Sequence, residues 1–177
     1  MPSHIVVRDA MPEDMVSVQL IYAQHVLQGT ATFEEVPPTA EELLARRAVV
    51  LDLDLPYLVA EIDGTVAGYC YASLYRPRVA YRYTIEDSIY IAPQHYGHGV
   101  GKALLSALIE RCEAGPWRQM IAVIAGNQNA ASIGLHRSLG FKHAGTQMAT
   151  GYKFNQWIDV VFMQRHLSEG SSTPPRA

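Results

Sequence analysis

Apolar and polar positions along the chain change period several times, and the changes divide it into alternating strands and helices. Ile5-Val6-Val7 reads as a first strand, and from Glu13 to Leu27 apolar residues recur at Met15, Val18, Ile21, Tyr22 and Val26, the spacing of one helix face. A loop covers Gly29 to Pro38. Thr39-x-x-Glu42 is a capping box that opens a second helix, Ala40 to about Leu51. Strands at Tyr57 to Ile62 and Val66 to Tyr75 flank Asp63-Gly64, the signature of a hairpin. The pattern then predicts a strand over 83–91, a helix over 98–113, a strand over 118–124, a helix over 129–139 and strands over 141–149 and 157–165. Residues 1–167 are expected to form one domain, and the Ser-Ser-Thr-Pro-Pro composition of 168–177 predicts a disordered tail.

Composition narrows the function classes. In 177 residues, 49% are hydrophobic and the net charge is −3, enough for one substantial core. The charges are scattered, without the basic stripe of a nucleic-acid partner. No run approaches the ~20 apolar residues of a membrane span, and Met-Pro-Ser-His lacks the regions of a signal peptide, so no membrane partner and a cytoplasmic location are expected. Cys70 and Cys112 make no CxxC and read as reduced, partly buried thiols.

The candidate chemistry starts at Gln94 to Lys102, QHYGHGVGK. Ser88-Ile89-Tyr90-Ile91 has strand character, Pro93 ends it, and Val100, Leu104, Leu105, Leu108 and Ile109 carry a helix face, so the glycines occupy a strand-to-helix turn. Missing side chains at Gly97, Gly99 and Gly101 let an anion approach backbone N–H groups at the positive end of a helix. A Walker loop would need glycine where Tyr96 stands and a hydroxyl where Ala103 stands, and a dinucleotide GxGxxG would need glycine at Lys102. A ligand-free glycine turn also fits this stretch taken alone. Gln-x-x-Gly-x-Gly resembles the acyl-CoA signature of the GNAT acetyltransferases.

Downstream, Asn129-Ala-Ala-Ser-Ile-Gly-Leu-His-Arg-Ser-Leu-Gly-Phe141 resembles the second GNAT motif, with Asn129 as helix cap or amide donor to the cofactor and Gly140 at a C-terminal cap. The stretches 81–90, 118–124, 151–154 and 157–160 are similar to the phosphinothricin and methionine sulfone/sulfoximine N-acetyltransferase group within GNAT, and the similarity runs from about Ile5 to Leu167. The resemblance implies an α/β fold of the α+β GNAT kind. Its central sheet would be mixed and mostly antiparallel, splayed between the fourth and fifth strands and flanked by helices on both faces. It also implies a homodimer, with acetyl-CoA as co-substrate, a small-molecule amine as acceptor and no metal.

The same resemblance distributes roles. Glu86 is the expected base for the acceptor amine, with a solvated carboxylate paired to Arg82 or Arg78 as the plain alternative. His136 stands where many GNAT enzymes carry a tyrosine that protonates the departing thiolate; a hydrogen-bonded core histidine is its plain alternative. Backbone groups of Ile89, Tyr90 and Ile91, the loop Gly97, His98, Gly99, Val100, Gly101 and Lys102, and Asn129 with Ser132 are expected on the cofactor. Phe33, Arg76, Pro77, Arg78, Arg82, Glu86, Asp87 and Ser88 are expected around the acceptor, the arginines holding its anionic end. Lys153 and Trp157 line or support that pocket, with a core place for Trp157 as the alternative. His95 and His98, at i and i+3, lack a third ligand for a metal; His95 is expected in solvent and His98 near the pyrophosphate. The reading is an N-acetyltransferase for a small amino acid or analogue, working by direct transfer in a ternary complex. A GNAT enzyme for a polyamine, aminoglycoside or protein N-terminus, or a non-catalytic acyl-CoA sensor, are the alternatives.

Overall fold

The computed structural model describes residues 4–126 and 129–176. Seven strands form one sheet in the order β1-β2-β3-β4-β5-β7-β6, and every neighbouring pair is antiparallel except β4 and β5. The strands are β1 (Ile5–Asp9), β2 (Tyr57–Ile62), β3 (Thr65–Leu74), β4 (Thr84–Ile91), β5 (Gln119–Ala125), β6 (Lys142–Lys153) and β7 (Gln156–His166). The helices are α1 (Met15–Gln28), α2 (Ala40–Asp52), α3 (Val100–Glu113) and α4 (Ala130–Ser138).

Strand alternation decides which helix covers which face. On β3, a Cβ at Gly68 would touch Leu104 of α3, and Cys70 Sγ lies 3.6 Å from the Leu104 carbonyl. The other parity, Tyr69 and Tyr71, stacks with Tyr57 and reaches Tyr90, whose ring meets Tyr22 of α1. Thus α3 lies on one face and α1 with α2 on the other, as expected, and both cysteines are free and buried. The Thr39–Glu42 capping box forms at the start of α2. Asp63 and Gly64 both take positive φ, 50° and 79°, the primed hairpin turn that the Asp-Gly pair predicts.

Several boundaries differ from the sequence expectation. A 3-10 turn, Pro12–Asp14, precedes α1, so the helix begins at Met15. The last two strands run on to Lys153 and from Gln156, closed by Phe154-Asn155 with φ of 52° and 57°. That tight turn lacks glycine, so its sequence reads as a longer loop. The tail is also not the free segment expected. Arg118, nearly buried, donates to the carbonyl oxygens of Gly170 (2.7 Å), Thr173 (3.2 Å) and Pro174 (2.7 Å) and to Thr173 Oγ1. Composition scores a polar tail as unable to bury itself and does not register a buried guanidinium in need of acceptors.

Candidate active site

The sheet opens between β4 and β5. Parallel pairing runs from Thr84↔Gln119 to Asp87↔Ala122 and stops, although both strands continue. The free edge of β4 can be read from its bonds to β3. Ala92 N–H donates to Ala67 O and Tyr75 N–H to Thr84 O, so even-numbered residues of β4 bond to β3. By alternation, the N–H groups of Ile85 and Asp87 face β5, and those of Ile89 and Ile91 point into the gap. Tyr90 therefore spends its N–H on the sheet, and of the three residues expected to present backbone donors only Ile89 and Ile91 do so.

The gap leads into a cavity of about 820 Å³. Gly97 and Gly99 form its lip with φ of 77° and 83°, and no atom would lie within 4 Å of a Cβ at Gly97. Gly99 is the N-cap of the 14-residue α3 and supplies no capping side chain. The first N–H groups of the helix, up to the Ala103 N–H that bonds Gly99 O, face the loop without helical partners. Unpartnered N–H groups beside a bare loop suit an anionic group such as a pyrophosphate, and Lys102 is exposed at the edge. Gly101 has a different use: a Cβ there would sit 3.1 Å from Leu135, so its bareness lets α3 and α4 approach. The two histidines exchange places relative to expectation. His95 lines the cavity with Tyr96, whereas His98 is exposed and off its wall. Asn129 stands at the N-cap of α4 and on the cavity wall, but makes no side-chain cap bond; its amide nitrogen donates to Ala125 O at 2.7 Å and fixes the end of β5.

On the acceptor side Phe33, Thr32, Glu86 and Ser88 share the cavity wall. Burial pushes the Glu86 carboxyl up to about 7, and the charge of Asp87 adds to the effect. Among the described residues no arginine forms an ion pair with it, which removes the paired-carboxylate alternative. Arg76 lies over Tyr75 and Tyr81, Arg82 lies over Tyr83, and neither they nor Pro77 and Arg78 line the cavity. These positions do not come together as an anion clamp.

Asp87 lines the same cavity, but its carboxylate turns to the other side of the strand. Neighbouring strand residues face opposite ways, and its carboxylate is buried against His136 Nε2 at 2.8 Å, on the face away from Glu86. His136 Nδ1 is 2.7 Å from the Ser132 carbonyl, so both ring nitrogens are engaged and the ring has no N–H free to meet a thiolate directly. Burial pulls the His136 pKa down, but the Asp87 bond and charge and the Ser132 carbonyl raise it further, and the net shift is upward.

Two more residues frame the site, His25 with only a faint sequence signal and Lys153 in the supporting place expected of it. His25 lies on the buried stripe of α1, three residues beyond Tyr22, and its Nε2 bonds the Ile91 carbonyl at 2.9 Å. Burial lowers its pKa, against the opposing effect of that bond. Lys153, nearly buried, donates from Nζ to the Gly29 and Thr32 carbonyls, both at 2.8 Å, and ties the β6–β7 hairpin to the loop that carries Phe33. Burial is also the main reason its pKa falls. Gly151 is bare because the Phe33 ring occupies the space a Cβ would need, 2.4 Å away. Trp157 is neither core nor cavity wall: it is 66% exposed and packs against Tyr152.

Among the described residues no three His, Cys, Asp or Glu side chains converge as metal ligands, and no helix is long and apolar enough to cross a membrane. Comparison with known proteins adds the following. A sequence model of the acetyltransferase (GNAT) family matches residues 21–141. A phosphinothricin N-acetyltransferase of Alcaligenes faecalis is 56% identical over 170 residues, 96% of this chain and 85% of the relative. An L-methionine sulfoximine/L-methionine sulfone acetyltransferase of Pseudomonas aeruginosa is 39% identical over 173 residues, 95% of this chain and 98% of the relative. The crystal structure of a GNAT superfamily phosphinothricin acetyltransferase from Sinorhizobium meliloti in complex with AcCoA superposes with a TM-score of 0.94 at 48% identity, covering 99% of this chain and 94% of that one.

Proposed function

We propose that this chain, which belongs to the acetyltransferase (GNAT) family, transfers acetyl from acetyl-CoA to the α-amino group of a small amino acid or analogue of the phosphinothricin, methionine sulfone and methionine sulfoximine class. The observation that carries the reading is Glu86. A free ammonium has a pKa near ~10, so about one molecule in a thousand is nucleophilic at neutral pH. A carboxyl held at about 7, unpaired and beside the strand gap, is matched to taking that proton. The Ile89 and Ile91 N–H groups supply donors for the pantetheine arm and the thioester oxygen, and the charge that develops there is stabilised in place.

Direct transfer is supported by the thiols. Cys70 and Cys112 lie off the cavity wall, and burial pushes Cys112 up to about 12 and Cys70 well above its ordinary value, so neither serves as an acetyl carrier. Two reduced cysteines suit a cytoplasmic enzyme. A homodimer is supported by the exposed apolar side of the β6–β7 hairpin, where Met148, Tyr152 and Trp157 face outward.

The test is thiol release from acetyl-CoA by the purified protein with methionine sulfone, methionine sulfoximine, phosphinothricin, spermidine and an aminoglycoside in parallel, with Glu86→Gln alongside. Saturable turnover on the first three only, reduced about a hundredfold or more in the variant, is the expected result. Turnover on spermidine or the aminoglycoside alone would replace the acceptor class.

A further inference from the structure

His136 and Asp87 hold one proton more than a neutral imidazole and a carboxylate would. Nδ1 lies 2.7 Å from the Ser132 carbonyl, and a carbonyl only accepts, so Nδ1 carries hydrogen. Nε2 lies 2.8 Å from Asp87 Oδ2, and neither atom can serve the other without a second hydrogen between them. Both side chains are 2% exposed, so water does not supply the bond. The other carboxylate oxygen, Oδ1, is the one buried side-chain polar atom without a partner among the described residues. An orphaned buried oxygen is costly.

The pair sits at the apex of the strand gap. Asp87 is the last residue of β4 paired to β5, and α4, which carries His136, follows β5 on the other side. The ring itself has no free N–H, yet Ser132 Oγ lies 3.4 Å from Nδ1 and Ser132 lines the cavity. A hydroxyl can accept from one side and donate to the other.

We propose that the Ser132 hydroxyl protonates the departing coenzyme A thiolate and is recharged from His136, with Asp87 as the positioning residue that keeps the ring an imidazolium. The proposal rests on the acetyltransferase reading above. As the carbon–sulfur bond breaks, its electron pair stays on sulfur, which takes the Ser132 Oγ proton. Oγ takes the proton from Nδ1, which it shares with the Ser132 carbonyl, and the hydrogen at Nε2 remains, leaving a neutral ring bonded to the Asp87 carboxylate with a bare Nδ1 against that carbonyl until the proton is restored. The ring regains its proton from solvent before the next cycle, while Glu86 handles the proton of the acceptor. The titratable groups around Asp87 are His136 on α4, Glu86 next to it on β4, Cys70 on β3 and Cys112 on α3; its charge raises all four.

Two readouts test it, and they fail separately. Asp87→Asn keeps the bond, because its amide can donate to a neutral Nε2, but removes the stored proton. Asp87→Asn and Ser132→Ala should each lower kcat by about tenfold or more with the acetyl-CoA KM within about twofold, and Ser132→Thr should retain most of the rate. The second readout needs no acceptor: ¹⁵N NMR of the His136 ring at neutral pH should show both nitrogens protonated in the wild type and a bare Nε2 in Asp87→Asn. A wild-type kcat in Ser132→Ala, or a bare Nε2 in the wild-type protein, overturns the relay. Failure of every acceptor in the thiol assay would overturn the function reading and leave the NMR result to decide the proton count.

Discussion

Glu86 shows how one residue couples activity to stability. Its folded pKa, about 7, lies above the ordinary carboxylate value of 4.5. Between those values the folded protein binds more protons than the unfolded chain, so stability falls as pH rises through the window and the cost is fully present above about pH 7. With allowance for solvent screening, that cost is about 2 kcal/mol. Glu86→Gln should therefore melt at higher temperature than wild type at pH 8 and show no gain at pH 4, while losing activity. Wild-type kcat/KM should climb with pH through about 7, and a flat profile from pH 5 to 9 would remove Glu86 as the base. Its position was legible two residues before the strand Ser88–Ile91; its burial was not. Sequence cannot show that Arg78 and Arg82 turn toward solvent and tyrosine rings and leave the carboxyl unpaired. The side its neighbour Asp87 presents was hidden for a related reason, since adjacent strand residues face opposite sides and only the sheet's partners say which way each carboxylate turns.

Among the elements, the β6–β7 hairpin positions the acceptor loop more than the sequence suggests. Gly151 and Lys153 face inward, one making room for the Phe33 ring and the other binding the Gly29 and Thr32 carbonyls. Gly151→Ala should displace that ring and raise the acceptor KM by about tenfold, with the acetyl-CoA KM unchanged. Lys153→Met should act the same way and also cost about 1–3 kcal/mol of stability, because two carbonyls lose their donor. Equal effects on both Michaelis constants would count against a local role. The glycine loop was the most legible element, because Gly97 and Gly99 are constrained by backbone conformation, which sequence reports directly. Gly101, in the same run, answers to Leu135 on another helix, and no local pattern carries that contact. The Phe154-Asn155 turn escaped for want of glycine, and the bonds from Arg118 to 170–174 escaped because they link segments about fifty residues apart.

At the scale of the whole molecule, the alternation that sends Gly151 and Lys153 inward sends Tyr152 outward with its directly paired neighbour Trp157. The two rings pack with centroids 5.0 Å apart, and Trp157, Tyr152 and Met148 are 66%, 55% and 71% exposed. Scattered apolar residues on a surface need no explanation, but two paired aromatic rings this exposed, with a bare methionine on the same hairpin, are of the kind that partners cover. Burial of each such side chain is worth about 1.5–3 kcal/mol, and a two-fold pairing doubles every contact. The wild-type protein should therefore sediment at twice the 19.6 kDa of one chain at micromolar concentration. Trp157→Glu would place a charge in the middle of that face and should give a monomer with the melting behaviour of a folded domain. The hairpin's inner side holds the acceptor loop, so loss of the dimer should also raise the acceptor KM while acetyl-CoA binding at the glycine cradle stays as it was. A wild-type chain that runs as a monomer, or a Trp157→Glu variant that still pairs, would remove this face as the dimer surface and leave its exposed aromatics without a partner.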